Sequence, residues 1–415
     1  MRALQWLDPV ARTCMHAEHL VPRSSRKVAA FALENTLITT TETPDWWDAC
    51  VPGKLAGLVQ DGYAIVVFTN ELRLSQFGPS ENLSSERGWK EKLERALVSM
   101  PNVPPFRMFV ATGKTDRYRK PMTGMWQELE RLFADDGVNI DKSASFYVGH
   151  GAGRQNPAGK RNRDSTGIDR KFALNLDIPF FTPEVLHLKC IRARFIHAKS
   201  QEYFLGHPTD TNVQLEGFHV SQVPLHLPRH EPTSSPLLPP QPTQELVLLV
   251  GLPCIGKTTL YRTYFAPAGY QHINIPSRDK SVQELDKALK AGERCVVAAE
   301  QNAMHEPKVR QLYLDLARTH GVPVRCMLFT GSRELAYHNN CYRAFCAPKS
   351  VRDREGKISR ELLPRTSFNE LRLRDMPQLS EGFSEIRKVH WVFEGTVEER
   401  KVWAQWMLQL QETVE

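Results

Sequence analysis

The chain has 415 residues, 41% apolar, 24% charged and 9% aromatic, enough for two cores of roughly 100–200 residues and unlike a disordered or fibrous chain. Its 54 basic and 47 acidic residues leave a formal charge of +7, which suits a polyanionic partner and equally a merely solvated surface. No apolar run approaches the ~20 residues of a membrane span, and eight cysteines without a C-x2-C pair indicate a reducing compartment rather than a zinc site or disulfide framework.

In chain order, residues 1–26 form an N-terminal segment with Arg2, Arg12, Arg23 and Arg26 but no signal-peptide core, a faint transit-peptide pattern. Val28–Phe31 and Ile65–Phe68 read as buried strands, and Ser145–Val148 as another. Gly53–Gln60, Glu91–Val98 and Gly124–Phe133 read as helices. Residues 222–245 then carry Pro224, Pro228, Pro232, Pro236, Pro239, Pro240 and Pro242. Proline at that density removes donors and fixes φ, so an extended linker is expected. Beyond it come strand Leu246–Val250, a helix from Gly256, helix Ser281–Ala291, strand Cys295–Ala298, helix Pro307–His320 and strand Val324–Phe329. This alternation predicts an α/β protein with two parallel-sheet domains, 27–221 and 246–415, with sites beyond the strands' carboxyl ends.

Gly251-Leu-Pro-Cys-Ile-Gly256-Lys257-Thr258 fits G-x4-G-K-[ST], follows an apolar strand and opens a helix, the context in which such a loop cradles polyphosphate. Gly251 and Gly256 let backbone N–H groups face the phosphates. Lys257 reaches the outer ones, and Thr258, with Thr259 beside it, offers a hydroxyl to Mg²⁺. A chance glycine-rich turn is the competing reading. Kinase chemistry also needs a carboxylate near the metal and a base for the attacking hydroxyl. The second strand instead ends in Ala298-Ala299, with Glu300 one place later, and no acid precedes Asp279 in the stretch from His272. Cys254 reads as a thiol near a helix N-terminus or as a small loop filler.

The stretch Lys27-Val-Ala-Ala-Phe-Ala-Leu-Glu-Asn-Thr-Leu-Ile38 resembles the strand–loop DxDGT motif of haloacid-dehalogenase-like phosphatases. That resemblance implies an aspartyl-phosphate nucleophile and a general acid, positions held here by Ala32 and Glu34. Ala32 has no oxygen with which to attack phosphorus or bind Mg²⁺, and Glu34 is a degenerate general-acid position. By the same resemblance Thr69, Asn70 and Lys120 contact phosphate. His150 stands where a metal-binding aspartate is expected, and Asp169 remains as a metal-ligand candidate. Losing the other acids should leave each pocket more positive.

A DxDGT-type domain carrying Lys120-Pro-Met-Thr-Gly-Met-Trp126, followed by a P-loop domain, resembles the polynucleotide kinase 3′-phosphatase family from Lys27 onward. The resemblance implies a Mg²⁺-dependent 3′-phosphatase and an ATP-dependent 5′-hydroxyl kinase, with Arg343 as a lid residue. It implies DNA ends bearing a 3′-phosphate or 5′-hydroxyl as partners, together with DNA-repair proteins. It also implies a monomer without membrane attachment, resident in the nucleus or alternatively the mitochondrion. Phosphate-contacting residues persist while acids are missing at 32, 150, 276 and 299, so the expectation is binding of DNA ends and nucleotide with little or no catalysis. The alternatives are an active bifunctional enzyme with substituted acids and a non-enzymatic scaffold. Residues 185–201 interrupt the family pattern with Lys189, Arg192, Arg194 and Lys199 and no acid, either as a DNA-binding loop or as a translated intron.

Overall fold

The computed structural model describes residues 4–41, 44–71, 79–154, 164, 166–183, 213–224, 227–273, 278–298, 304, 306–355, 361–368 and 375–410. The chain divides into two compact units, residues 1–217 with 405–408 and residues 218–404 with 409–415.

In the first unit the strands are β1 (Gln5–Trp6), β2 (Cys14–His19), β3 (Lys27–Phe31), β4 (Tyr63–Asn70), β5 (Phe106–Ala111), β6 (Phe146–Val148) and β7 (Phe180–Phe181). They form one sheet in the order β1-β2-β5-β4-β3-β6-β7. The central strands are apolar on both faces because each face is covered. Ala29, Phe31, Ile65 and Val67 join one core, while Val28, Ala30, Ala64, Val66 and Phe68 join the other, the two-residue alternation of a strand. Helix Val51–Gln60 buries Val51, Leu55 and Leu58 in the first core. Helix Gly124–Asp135 buries Met125, Trp126, Leu129 and Phe133 in the second.

The expected parallel sheet is corrected here: β5 to β7 pair in parallel, but β1–β2 and β2–β5 are antiparallel. Cys14-Met-His-Ala-Glu-His19 looks too polar for a buried strand. Its histidines are buried by stacking, His16 on Phe109 at 4.6 Å between centroids and His19 on Phe106 at 5.4 Å.

The second unit holds β8 (Leu246–Val250), β9 (Gln271–Ile273), β10 (Cys295–Val297), β11 (Val324–Phe329) and β12 (Glu385–Val389). This sheet is parallel throughout, in the order β12-β11-β8-β10-β9. The chain leaves β8 for one side of the sheet and later returns to the other, so the carboxyl end of β8 is a topological switch point. Residues 227–245 form no helix or strand, as proline demands, yet they are strapped to the sheet. Arg325 donates to the Pro236 and Leu237 carbonyls at 3.2 and 3.1 Å, and the Glu231 N–H donates to the Lys388 carbonyl at 3.0 Å. Among the described residues no helix is long and apolar enough to cross a membrane.

Candidate functional site

The first candidate site lies just beyond the carboxyl ends of β3, β4 and β6. Ala32 follows β3 directly, its N–H donating to the Val148 carbonyl at 2.8 Å and its methyl buried in the apolar core. Glu34 stands two residues on, half-buried, before Asn35, whose φ of +52° asparagine tolerates better than most residues. The Thr36 hydroxyl accepts the His150 N–H at 3.1 Å, tying this loop to the one after β6.

Thr69 and Asn70 end β4, Thr69 buried and Asn70 half-buried. The Asn70 side chain grips the Lys120 backbone both ways, accepting its N–H at 2.9 Å and donating to its carbonyl at 3.2 Å. Lys120 is thereby aimed inward, and its ammonium donates to the Phe68 carbonyl at 3.0 Å, the Tyr147 hydroxyl at 2.9 Å and Asp169 Oδ1 at 2.6 Å. The Tyr147 hydroxyl in turn donates to the same oxygen at 3.0 Å, while Asp169 Oδ2 accepts the Gly151 N–H at 2.9 Å. Burial, reinforced by the charge and hydrogen bond of Asp169, holds the Tyr147 phenol well above its ordinary pKa. Gly149 is required: a Cβ there would stand 2.5 Å from the Asp169 Cβ.

Lys120 and Asp169 form a close buried pair, so the charge of this lysine is offset within the site. These residues do not fit a Mg²⁺ ion. Both Asp169 oxygens already accept hydrogen bonds, and among the described residues no three His, Cys, Asp or Glu side chains converge. Tyr147 and Gly149 were missed as pocket residues. Tyr147 had only a strand position as its signal, whereas Gly149 directly precedes His150 in sequence.

The second site is the loop after β8. Gly251 packs so near β11 that a Cβ would stand 2.7 Å from the Phe329 Cβ, and Gly256 has a φ of +93°. Cys254 is also left-handed at +59°. The loop delivers the chain into helix Lys257–Leu260, which continues in a wider turn through Tyr261–Phe265. The Lys257 ammonium folds onto its own loop, donating to the carbonyls of Gly251 at 2.7 Å and Leu252 at 2.6 Å. Burial, assisted by Arg343 and opposed by Cys254, lowers its pKa to about 8.

Lys257, Thr258, Thr259 and Arg343 line one cleft of about 700 Å³, the size of a small-molecule site. Arg343 donates to Cys254 Sγ at 2.9 Å. Burial pushes the Cys254 thiol up, while Arg343 and Lys257 pull it down. Asn339 holds the loop from behind: its amide donates to the Cys254 carbonyl at 3.0 Å and its oxygen accepts the Trp403 indole N–H at 2.8 Å. No local sequence signal links Asn339 to the loop or to Trp403. Asp279 lies in the first turn of helix Arg278–Lys290 and is not among the residues lining the cleft. Position 276, Ala299, Glu300 and residues 185–201 lie outside the described residues.

Two α/β units, one with a glycine-rich cradle at the switch point of a parallel sheet, define an α/β protein of the P-loop kind. Residues 27–187 match the sequence family described as polynucleotide kinase 3 phosphatase. A bifunctional polynucleotide phosphatase/kinase of Schizosaccharomyces pombe is 30% identical over 380 residues, covering 88% of this chain and 80% of that protein. A polynucleotide 3′-phosphatase of Arabidopsis thaliana is 34% identical over 184 residues, 39% of this chain and 24% of its own length. A protein of Acanthamoeba polyphaga mimivirus is 28% identical, with coverage of 91% and 87%. The chain belongs to the polynucleotide kinase 3′-phosphatase family.

Proposed function

We propose that this protein binds DNA ends and nucleotide with little or no phosphoryl chemistry. Its first unit is the phosphatase-type domain and its second the P-loop kinase-type domain. Family membership supports a role in DNA-end processing, and one observation carries the non-catalytic part. Ala32 directly follows β3, hydrogen-bonded to Val148, which supports reading it as the nucleophile position, held here by a methyl group. A carboxylate there would form the covalent intermediate; a methyl cannot. In the second unit the backbone of 251–258 and Lys257 would hold the phosphates of ATP, and Thr258 would offer its hydroxyl to Mg²⁺. The metal supplies charge neutralisation when bound, and Lys257 orients the phosphates.

The test is a turnover assay on 3′-phosphate and 5′-hydroxyl oligonucleotides with Mg²⁺ and ATP. No release of phosphate from the 3′ end is expected from the unmodified protein. Ala32→Asp alone should not restore it, because the acids of such a site act as a unit. Robust metal-dependent release by the unmodified protein would overturn the reading. The closed Lys120–Asp169 pair favours a second reading for the first unit alone, that its pocket is a structural strut; titration with the two DNA ends separates them.

A further inference from the structure

We propose that Trp391, backed by Trp403, is the platform on which the base of a purine nucleoside triphosphate stacks while its phosphates lie on Gly251–Thr258. The inference rests on reading the cleft as a nucleotide site. Five aromatic side chains line that cleft: Phe329, Tyr342, Trp391, Phe393 and Trp403. Phe329, Tyr342 and Trp403 are buried, whereas Trp391 and Phe393 are half-buried and keep ring surface available to a ligand. Trp391 sits against the cradle itself, its Cδ1 3.8 Å from where a Cβ on Gly256 would stand.

The platform is rigid. Trp391 stacks on Trp403 with centroids 4.6 Å apart and planes at 25°, and Phe393 meets the same ring at 5.2 Å. Trp403 is 1% exposed and pinned by its indole N–H to Asn339, whose amide holds the Cys254 carbonyl of the loop. The ring stack and the phosphate cradle are thus fixed to one another through two hydrogen bonds. Aromatic packing alone would account for Trp403. Trp391 takes part in that packing but stays half-buried, its ring bordering a cleft of mixed polar and apolar lining beside the glycine-rich loop. A ligand held there by its phosphates and carrying a flat aromatic group finds its complement in that ring. Stacking reads a π-face rather than a hydrogen-bonding edge, so adenine and guanine should serve alike and the smaller pyrimidines less well.

Calorimetric titrations of the full chain with ATP, GTP, CTP and inorganic tripolyphosphate test this, in wild type, Trp391→Leu and Trp391→Phe. Wild type should bind ATP and GTP about tenfold more tightly than tripolyphosphate, with CTP between. Trp391→Leu should bring ATP down to the tripolyphosphate level while leaving tripolyphosphate affinity unchanged, which also shows that the variant is folded. Trp391→Phe, which keeps a ring against Trp403, should retain part of the advantage. An ATP advantage that survives in Trp391→Leu overturns the proposal, including the case in which only an oligonucleotide loses affinity. Should tripolyphosphate itself fail to bind wild type, the nucleotide reading of the cleft falls and this proposal falls with it.

Discussion

Lys257 turns its ammonium onto the carbonyls of Gly251 and Leu252, and burial brings its pKa from 10.5 to about 8. Between those values the unfolded chain binds more protons than the folded one, so stability rises with pH there and the cost of burying this cation is greatest below pH 8. A polyphosphate favours the protonated form. Binding should therefore take up a proton above pH 8, and affinity should fall as pH rises through that value. Calorimetry in two buffers of different ionisation enthalpy measures the uptake, and Lys257→Met should bind weakly with no such dependence. Equal proton uptake in wild type and Lys257→Met would assign it to another group. At this scale much was legible. Lys257 stands at a fixed offset in a glycine-rich motif, and Ala32 at the offset where the family resemblance implies a nucleophile. The closure of Lys120 was not legible, because it depends on Tyr147 and Asp169, which reach it from 27 and 49 positions away.

Elements whose burial is written in apolar runs, such as β3, β4, β8 and β11, were legible from sequence. Strands β2, β9 and β12 were not, because polar side chains can be buried when something satisfies or stacks on them. In β12, Arg387 donates to Glu385 Oε1, and Arg325 of β11 pairs with Glu245. In β2 the His16 ring lies flat on Phe109, and burial, with help from Arg107 and Arg131, lowers its pKa from 6.5 to about 4. The strand therefore requires a neutral imidazole. Below pH 6.5 the unfolded chain takes up the proton first, so stability is fully present above that value and is lost as pH falls toward 4. The loss is on the order of 3 kcal/mol at its limit. His16→Phe keeps a ring against Phe109 and removes the titration. Urea midpoints at pH 7 and pH 5 should differ less for this variant than for wild type, and an unchanged difference would clear His16 of the effect.

At the scale of the whole molecule the proline-rich stretch announced two units, although it lies strapped to the second sheet rather than free between them. The return of residues 405–408 to the first unit had no local signal. Asn175 holds them, donating to the Trp406 carbonyl and accepting its N–H, both at 2.7 Å. On the DNA-end reading proposed above, the charge of +7 predicts an attraction to the DNA backbone that weakens steeply as salt rises. On the same reading, preference for a terminal 3′-phosphate is a separate matter and falls to the first site. There Lys120 is already paired with Asp169 at 2.6 Å, so a phosphate must compete with a carboxylate for the same ammonium. The gain from a charge-assisted hydrogen bond, about 1.5–3 kcal/mol, is largely offset by the bond given up. Wild type should therefore prefer 3′-phosphate over 3′-hydroxyl DNA by less than about tenfold. Asp169→Asn releases the positive charge of Lys120 and should raise that preference severalfold. It also breaks a buried pair at a cost of about 3–5 kcal/mol, so an unchanged salt slope on 3′-hydroxyl DNA is the check that the variant remains folded. Titrating both DNAs against both proteins at two salt concentrations decides the matter. A wild-type preference of about a hundredfold would show that the pair opens readily for phosphate, and equal affinities in Asp169→Asn would remove Lys120 from end recognition.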